Sequence, residues 1–291
     1  MRASLKQEVK KRSDSIYNFI IVDGMNMSYK YYYGLKMLKS VEGVKTGLYH
    51  GFLYLILSLR DKYLSKPIVA WEGGDLVRKK KMMGYKANRA AKPDDFVNSI
   101  AKLKELLALM GIKQKYIPGY EADDIAAFFC KKYKDERILL VSEDSDWLQP
   151  IHKNCVVYKN SKEWTYEELR KSNGFPPEKI LLYKVLTGNA KDNISGIPYF
   201  PTELAKQIVN KCDYLGDVYH FKTGNRRYLK WLYALKNNRE LLTFNYEILK
   251  LNADIQLEDL PCHEKKNITK LKDQLIKMQL FKVLNMIKKT L

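Results

Sequence analysis

The sequence predicts an α/β fold: a doubly wound parallel sheet with flanking helices, followed by a mostly helical C-terminal region. Three observations lead there. Short β-rich apolar runs alternate with segments of helical hydrophobic spacing as far as Val141, the rhythm of βαβ units in a parallel sheet. Carboxylates recur just after those runs. Beyond about residue 165 the pattern turns almost wholly helical.

The elements follow in order. Residues 1–15 read as a basic N-terminal arm, polar and without the apolar core of a secretory signal. A strand is predicted over 17–22, then a turn at Gly24 and a Tyr-rich helix or loop. Leu48, Phe52, Leu55, Ile56, Leu59 and Tyr63 share one helical face and define a helix near 46–64. A strand at 67–71 follows. Gly73–Pro93 has no apolar period, and its lysines and arginines are opposed only by Asp75. Phe96, Ile100, Leu103, Leu106, Leu107 and Met110 mark a helix over 94–110, stopped by Gly111. A strand at 112–117, a helix at 122–134 and a strand at 137–141 complete the α/β part, bounded at 16–164. In the helical part, 165–291, Thr165-Tyr166-Glu167-Glu168 starts a helix, and Pro176-Pro177 opens another that reaches Thr187. Polar loops at 188–193 and 196–201 precede helices at about 202–212, 225–236, 238–250 and 265–289.

With 46% hydrophobic residues the chain can build a core, and its formal charge of +19 comes from 52 Lys and Arg against 33 Asp and Glu. Such an excess, with acidic residues clustered in the same chain, points to a polyanionic substrate held by the surface and to metal ions at the reacting phosphate. Cys130, Cys155, Cys212 and Cys262 form no CxxC pair, so neither a zinc module nor a disulfide framework is indicated. His50, His152, His220 and His263 are unclustered in sequence and read as structural or surface residues. The longest apolar stretch, Leu48–Leu59, is too short to span a membrane. A reducing, cytoplasmic setting fits these features.

The carboxylates carry the chemistry. Asp23 follows Phe19-Ile20-Ile21-Val22, and Glu72 follows Ile68-Val69-Ala70-Trp71. Glu121, Asp123 and Asp124 stand at a predicted helix start, while Glu143, Asp144 and Asp146 follow Ile138-Leu139-Leu140-Val141. Loops at the carboxyl ends of parallel strands converge on one crevice. Bare carboxylates crowded there repel one another, and a hard divalent cation relieves the repulsion. Capping alone would account for Glu121–Asp124 in isolation, but not for the other acidic strand ends. Glu143 reads as a solvated neighbour.

Five segments occur in the order seen in the 5′-nuclease family, which includes flap endonucleases, phage 5′-exonucleases and the 5′-nuclease domain of bacterial DNA polymerase I. They are Ile21-Val22-Asp23-Gly24, Tyr85-Lys86-Ala87-Asn88-Arg89, Gly119-Tyr120-Glu121-Ala122-Asp123-Asp124, Ser142-Glu143-Asp144-Ser145-Asp146 and Gly188-Asn189-Ala190-Lys191-Asp192-Asn193-Ile194. The chain resembles that family over about residues 17–210. The resemblance implies a PIN-like domain, a helical arch over about 73–98, and a helix–three-turn–helix DNA-binding region. It implies cleavage of phosphodiester bonds in DNA with a 5′ end, flap or branch, or in an RNA–DNA primer, by a monomer using two Mg²⁺ or Mn²⁺ ions. By position, Asp23, Glu72, Glu121, Asp123 and Asp124 resemble the first metal group, and Asp144, Asp146 and Asp192 the second. Lys86, Arg78 and Arg89 resemble the catalytic basic groups at the base of the arch. Lys79, Lys80, Lys81, Tyr85 and Gly196 fall among the DNA-binding positions, Tyr85 as a platform for a flipped base.

Three departures from the family pattern stand out. Glu72 replaces an Asp, and Asn189 replaces the first Asp of a Gly-Asp-x-x-Asp loop, leaving only a carbonyl to offer a metal. The Gly-rich turn that binds duplex, and often K⁺, reads Gly196-Ile197-Pro198-Tyr199-Phe200-Pro201. Pro201 lacks an N–H and Tyr199 is poorly suited to φ > 0, which weakens the expectation of DNA anchoring or K⁺ binding there. A nucleic-acid-binding relative without hydrolysis, and a PIN-type ribonuclease, are the competing readings.

Overall fold

The computed structural model describes residues 17–256 and 266–290. The arm expected over 1–15, together with Cys262 and His263, lies outside the described residues. The main sheet has six strands in the order β3-β2-β1-β4-β5-β6. They are β1 (Phe19–Asp23), β2 (Pro67–Ala70), β3 (Lys113–Lys115), β4 (Ile138–Val141), β5 (Cys155–Lys159) and β6 (Lys162–Thr165). The first five run parallel, and β6 returns antiparallel to β5. Strand β1 lies between β2 and β4, with Ile21 opposite Ile68 on one side and Leu140 on the other. The winding reverses between β1 and β4, and the crevice above that point is where such sheets bind ligands.

Helices cover both faces, so the central strands are apolar throughout, as parallel strands buried on two sides must be. Ile20 and Val22 point to one face and Ile21 to the other, each fully buried, in the period-two alternation of a strand. On the first face lie α1 (Gly24–Gly34), α2 (Gly47–Tyr63) and α4 (Asp94–Leu109), whose Phe52, Leu53, Leu103 and Leu106 fill that half of the core. On the second lies α5 (Ala122–Lys132), which joins the helical region through Ile125, Phe129, Val185 and Leu204.

The helical region comprises α6 (Tyr166–Asn173), α7 (Ile180–Thr187), α8 (Thr202–Lys211), α9 (Leu215–Val218), α10 (Leu229–Asn237), α11 (Arg239–Leu249), α12 (Ile268–Lys277) and α13 (Phe281–Thr290). Thr165 caps α6 by accepting from the Glu168 N–H. The polar loop expected after α7 holds two short strands, β7 (Gly188–Asn189) and β8 (Ile194–Ser195), which pair antiparallel. Residues 180–211 thus run helix, hairpin, helix. Among the described residues no helix is long and apolar enough to cross a membrane.

The structure departs from the sequence reading in its details. The β5–β6 hairpin was not foreseen; Asn160 (φ 51°) and Ser161 (φ 59°) form its tight turn in the left-handed region that two-residue hairpin loops require. The single helix expected over 265–289 is two, because Gln279 takes φ 56° between α12 and α13. Within the helical region, Leu271, Leu275, Val283 and Ile287 of α12 and α13 join the core of α2 and α4. Finally, the arch expected over 73–98 contains only the five-residue α3 (Val77–Lys81) and the start of α4, and residues 82–93 between them are turns and irregular chain.

Candidate active site

Each acidic strand end is fixed by local backbone chemistry. Asp23 ends β1 and caps α1, its Oδ1 accepting the Asn26 N–H at 3.0 Å while Oδ2 accepts the Ser142 hydroxyl at 2.8 Å. Ser142 directly follows β4, so this bond ties the two central strands together at their carboxyl ends. Asp144 caps the short turn after β4 by accepting the Asp146 N–H. Glu121 and Asp123 stand at the start of α5, where the helix dipole favours negative charge.

Asp23, Glu72, Glu121, Asp123 and Asp144 line one cavity of about 160 Å³, with Lys86, Arg89 and Lys92 among the other lining residues. The sequence placed Asp144 with the second group; in the fold it lines the cavity of the first. Burial disfavours the charged forms. It pushes Asp23 up to about 7, and it pushes Asp123 up to about 8 against the pull of Arg78. The Asp123 Oδ1 atom is buried with no hydrogen-bond partner among the described residues, and Arg78 Nη1 lies 3.6 Å from it. Glu121 is surrounded instead: Lys86 Nζ pairs with one oxygen, while Arg78 Nη1 (2.5 Å) and the Tyr85 hydroxyl (2.7 Å) donate to the other. Glu72 lies between Lys92 Nζ at 3.3 Å and Lys86 Nζ at 3.8 Å.

A second acidic group adjoins the first. Asp146, Asp192 and Asn189 are all buried. The Asn189 amide donates to Asp192 Oδ2 at 2.8 Å and lies 3.5 Å from Asp146 Oδ2. Arg89 Nη2 pairs with Asp192 Oδ1 at 2.7 Å. Lys184 Nζ meets Asp146 Oδ1 at 2.6 Å, in a side chain only 10% exposed. Sequence reasoning missed Lys184. Its signal was a lysine inside the otherwise apolar Ile180-Leu181-Leu182-Tyr183-Lys184-Val185-Leu186, a place where a charge needs a buried partner.

The basic turn 84–89 bridges the two groups. Lys86 takes φ 57° and its N–H donates to Asp192 O. The Asn88 amide donates to Ala190 O, Arg89 Nε to Lys191 O, and the Asn193 amide back to Gly84 O. The turn is therefore strapped to loop 190–193, with the Lys86 ammonium directed at the acidic cavity.

Three expected roles change. Arg78 is not a free cation at the cavity. Its Nη2 pairs with Asp124 Oδ1 at 2.7 Å and its Nε donates to Ile248 O at 3.0 Å, which locks α3, α5 and α11 together. Asp124 faces that clamp and not the cavity; it accepts the backbone N–H groups of Glu121 (3.0 Å) and Asn252 (2.8 Å). Tyr85 is 4% exposed, so it holds Glu121 rather than offering its ring to a base. Lys79, Lys80 and Lys81 are exposed on α3, and Glu143 pairs with Lys30. Tyr199 adopts φ 58° after all and is 93% exposed. Gly196 serves close backbone packing, because a Cβ there would meet Gly188 N at 2.3 Å.

Comparison with known proteins follows the same lines. The family described as "5′-3′ exonuclease, N-terminal resolvase-like domain" matches residues 18–174. A 5′-3′ exonuclease of Buchnera aphidicola subsp. Acyrthosiphon pisum (strain APS) is 32% identical over 251 residues, covering 82% of this chain and 88% of that protein. One of Aquifex aeolicus (strain VF5) is 29% identical over 282 residues, covering 92% and 94%. Among solved structures, the T5 D15 protein co-crystallised with metal ions shares the fold, with a TM-score of 0.67 and 19% identity over 89% of this chain and 98% of that one.

Proposed function

The chain belongs to the 5′-3′ exonuclease family, and from that premise we propose that it is a divalent-metal-dependent 5′-nuclease. It hydrolyses phosphodiester bonds in DNA near a 5′ end, flap or branch, in replication or repair. The observation that carries this reading is the cavity at the reversal point of the sheet, lined by carboxylates, with Asp123 Oδ1 buried there without a hydrogen-bond partner among the described residues and the Arg78 guanidinium 3.6 Å away.

The residues fit a hard cation of the Mg²⁺ or Mn²⁺ kind, which takes oxygen ligands. Asp23 and Asp123, raised by burial, are the groups a cation would hold ionised. Asp23, Glu72, Glu121, Asp123 and Asp144 would hold one ion. Asp146, Asp192 and the carbonyl of Asn189 would hold a second, more weakly, since Lys184 already occupies one oxygen of Asp146. When bound, such ions polarise a phosphate oxygen and lower the pKa of a water.

The chain supplies the rest. Lys86 carries the positive charge placed to offset charge growing on the phosphate. Arg89 and Lys92 flank it, and Lys79, Lys80 and Lys81 attract the backbone of the nucleic acid. Arg78 and Tyr85 position Glu121 without reaching substrate. K⁺ binding at the Gly196–Pro201 turn forms no part of this reading. An RNA–DNA primer remains within the substrate class, and the protein acts as a monomer in the cytoplasm.

Labelled flap DNA, 5′-ended duplex and single-stranded RNA, each incubated with Mg²⁺, Mn²⁺ or excess EDTA, test the reading. Metal-dependent release of 5′ fragments from DNA is expected. Cleavage undiminished by EDTA would overturn the metal requirement, and cleavage confined to RNA would overturn the substrate class.

A further inference from the structure

Three side chains that the sequence leaves apart meet at the far end of α5. Cys130 lies near the end of that helix, while His152 and Cys155 belong to the turn entering β5. The spacing 130, 152, 155 contains no CxxC pair and so carries no metal signal of its own; the fold supplies the proximity instead. Cys130 Sγ and Cys155 Sγ are 3.7 Å apart, and a ring nitrogen of His152 lies within 4.8 Å of both sulfurs. The turn is held in shape by the Cys155 N–H donating to His152 O at 2.9 Å.

We propose that Cys130, His152 and Cys155 form a second kind of metal site, for a thiophilic divalent cation of the Zn²⁺ class, with water as fourth ligand. A tetrahedral ion with Zn–S bonds of about 2.3 Å places its two sulfurs about 3.8 Å apart. The observed 3.7 Å already matches that edge, whereas a disulfide needs the sulfurs to close to about 2.05 Å. His152 Nε2 is buried and has no hydrogen-bond partner, while Nδ1 accepts the Asn154 N–H at 3.3 Å. One ring nitrogen of His152 is the ligand atom. Capture of a cation leaves the ring proton on the other nitrogen, and the thiols give up their protons to solvent. A cavity of about 420 Å³ borders Cys130 and His152 and leaves room for the water; Lys131, Lys134 and Lys250 around it favour the anionic sulfurs.

This site contains sulfur and the acidic cavity does not, so the two can be told apart whatever the fate of the nuclease reading. The full chain, reduced and stripped of metal, is titrated with Co²⁺. Expected are a sulfur-to-cobalt charge-transfer band in the near ultraviolet and intense tetrahedral bands in the visible at one equivalent, both bleached by Zn²⁺. Carboxylate-bound cobalt gives neither. Cys130→Ser should remove the sulfur signal from this pair, and His152→Ala should weaken binding roughly tenfold or more. His152 is half-buried, so that variant keeps the test alive if a cysteine variant misfolds, with circular dichroism as the check on folding. Absence of the sulfur band in folded, reduced protein would overturn the proposal. So would unchanged affinity in His152→Ala, or a Cys130–Cys155 disulfide in metal-free protein purified without reductant.

Discussion

Replacing Arg78 with alanine is expected to loosen the fold as well as slow the chemistry. The guanidinium donates to Glu121, to both oxygens of Asp124 and to the carbonyls of Ile248 and Lys250, in a side chain 12% exposed. Its removal takes a donor from two carbonyls, the paired cation from Asp124, one of two cations from Glu121, and the guanidinium 3.6 Å from Asp123. Breaking a buried pair from one side costs about 3–5 kcal/mol. Glu121 keeps Lys86 and Tyr85, and Asp124 keeps two backbone N–H donors, so the low end, about 3 kcal/mol, applies. At about 2–4 °C per kcal/mol for a chain of this size class, the melting temperature should fall by about 6–12 °C. Arg78→Lys should recover only part, because an ammonium cannot span α5 and the carbonyls at the end of α11 together. Thermal melts by circular dichroism, beside single-turnover cleavage, are the assay. A melting temperature within a degree of the parent, with cleavage abolished, would refute the clamp and return Arg78 to a role at the phosphate.

Other outcomes follow from the same geometry. Asp23→Asn should abolish cleavage while DNA binding, read by fluorescence anisotropy, stays intact or tightens; it should also raise the metal-free melting temperature, because it removes a charge that burial disfavours. Cutting at the parental rate would remove Asp23 from the site. Lys86→Ala should lower the single-turnover rate more than affinity, whereas Lys80→Ala and Lys81→Ala should weaken binding and flatten its salt dependence; an unchanged rate for Lys86→Ala would make it an ordinary lysine. Asn189→Asp replaces a donor to Asp192 with a third buried carboxylate. One such charge at 4 Å is worth up to about 4 kcal/mol at an effective dielectric of 20. The variant should melt lower in EDTA and reach full activity at lower Mg²⁺, and a titration curve that does not move would show that Asn189 does not face the ions.

What could be read from the chain was local. Strands β1, β2 and β4 announce themselves as apolar runs, and the carboxylates behind them follow from parallel topology. The β5–β6 hairpin stayed hidden because β6, Lys-Glu-Trp-Thr, is a partly exposed edge strand with charged residues. Tyr85 sits among basic residues and so reads as a surface residue; only the fold shows it buried against Glu121. Arg78, Lys184 and the Cys130–His152–Cys155 group were misread or missed for a common reason. Their partners lie tens of positions away, and a side chain's partner at that distance leaves no periodic trace in sequence.

The return of α12 and α13 to the first half of the molecule has a consequence for biosynthesis. The apolar faces of α2 and α4 leave the ribosome well before Leu271, Leu275, Val283 and Ile287, the residues that cover them. At about 5–20 residues per second, that interval lasts on the order of ten seconds. The nascent chain must carry an open, greasy groove through that time, guarded by chaperones or by transient self-contacts. A message truncated after residue 256 would release a protein with its carboxylate cavity encoded in full and one flank unsealed, its apolar face open to aggregation and proteolysis.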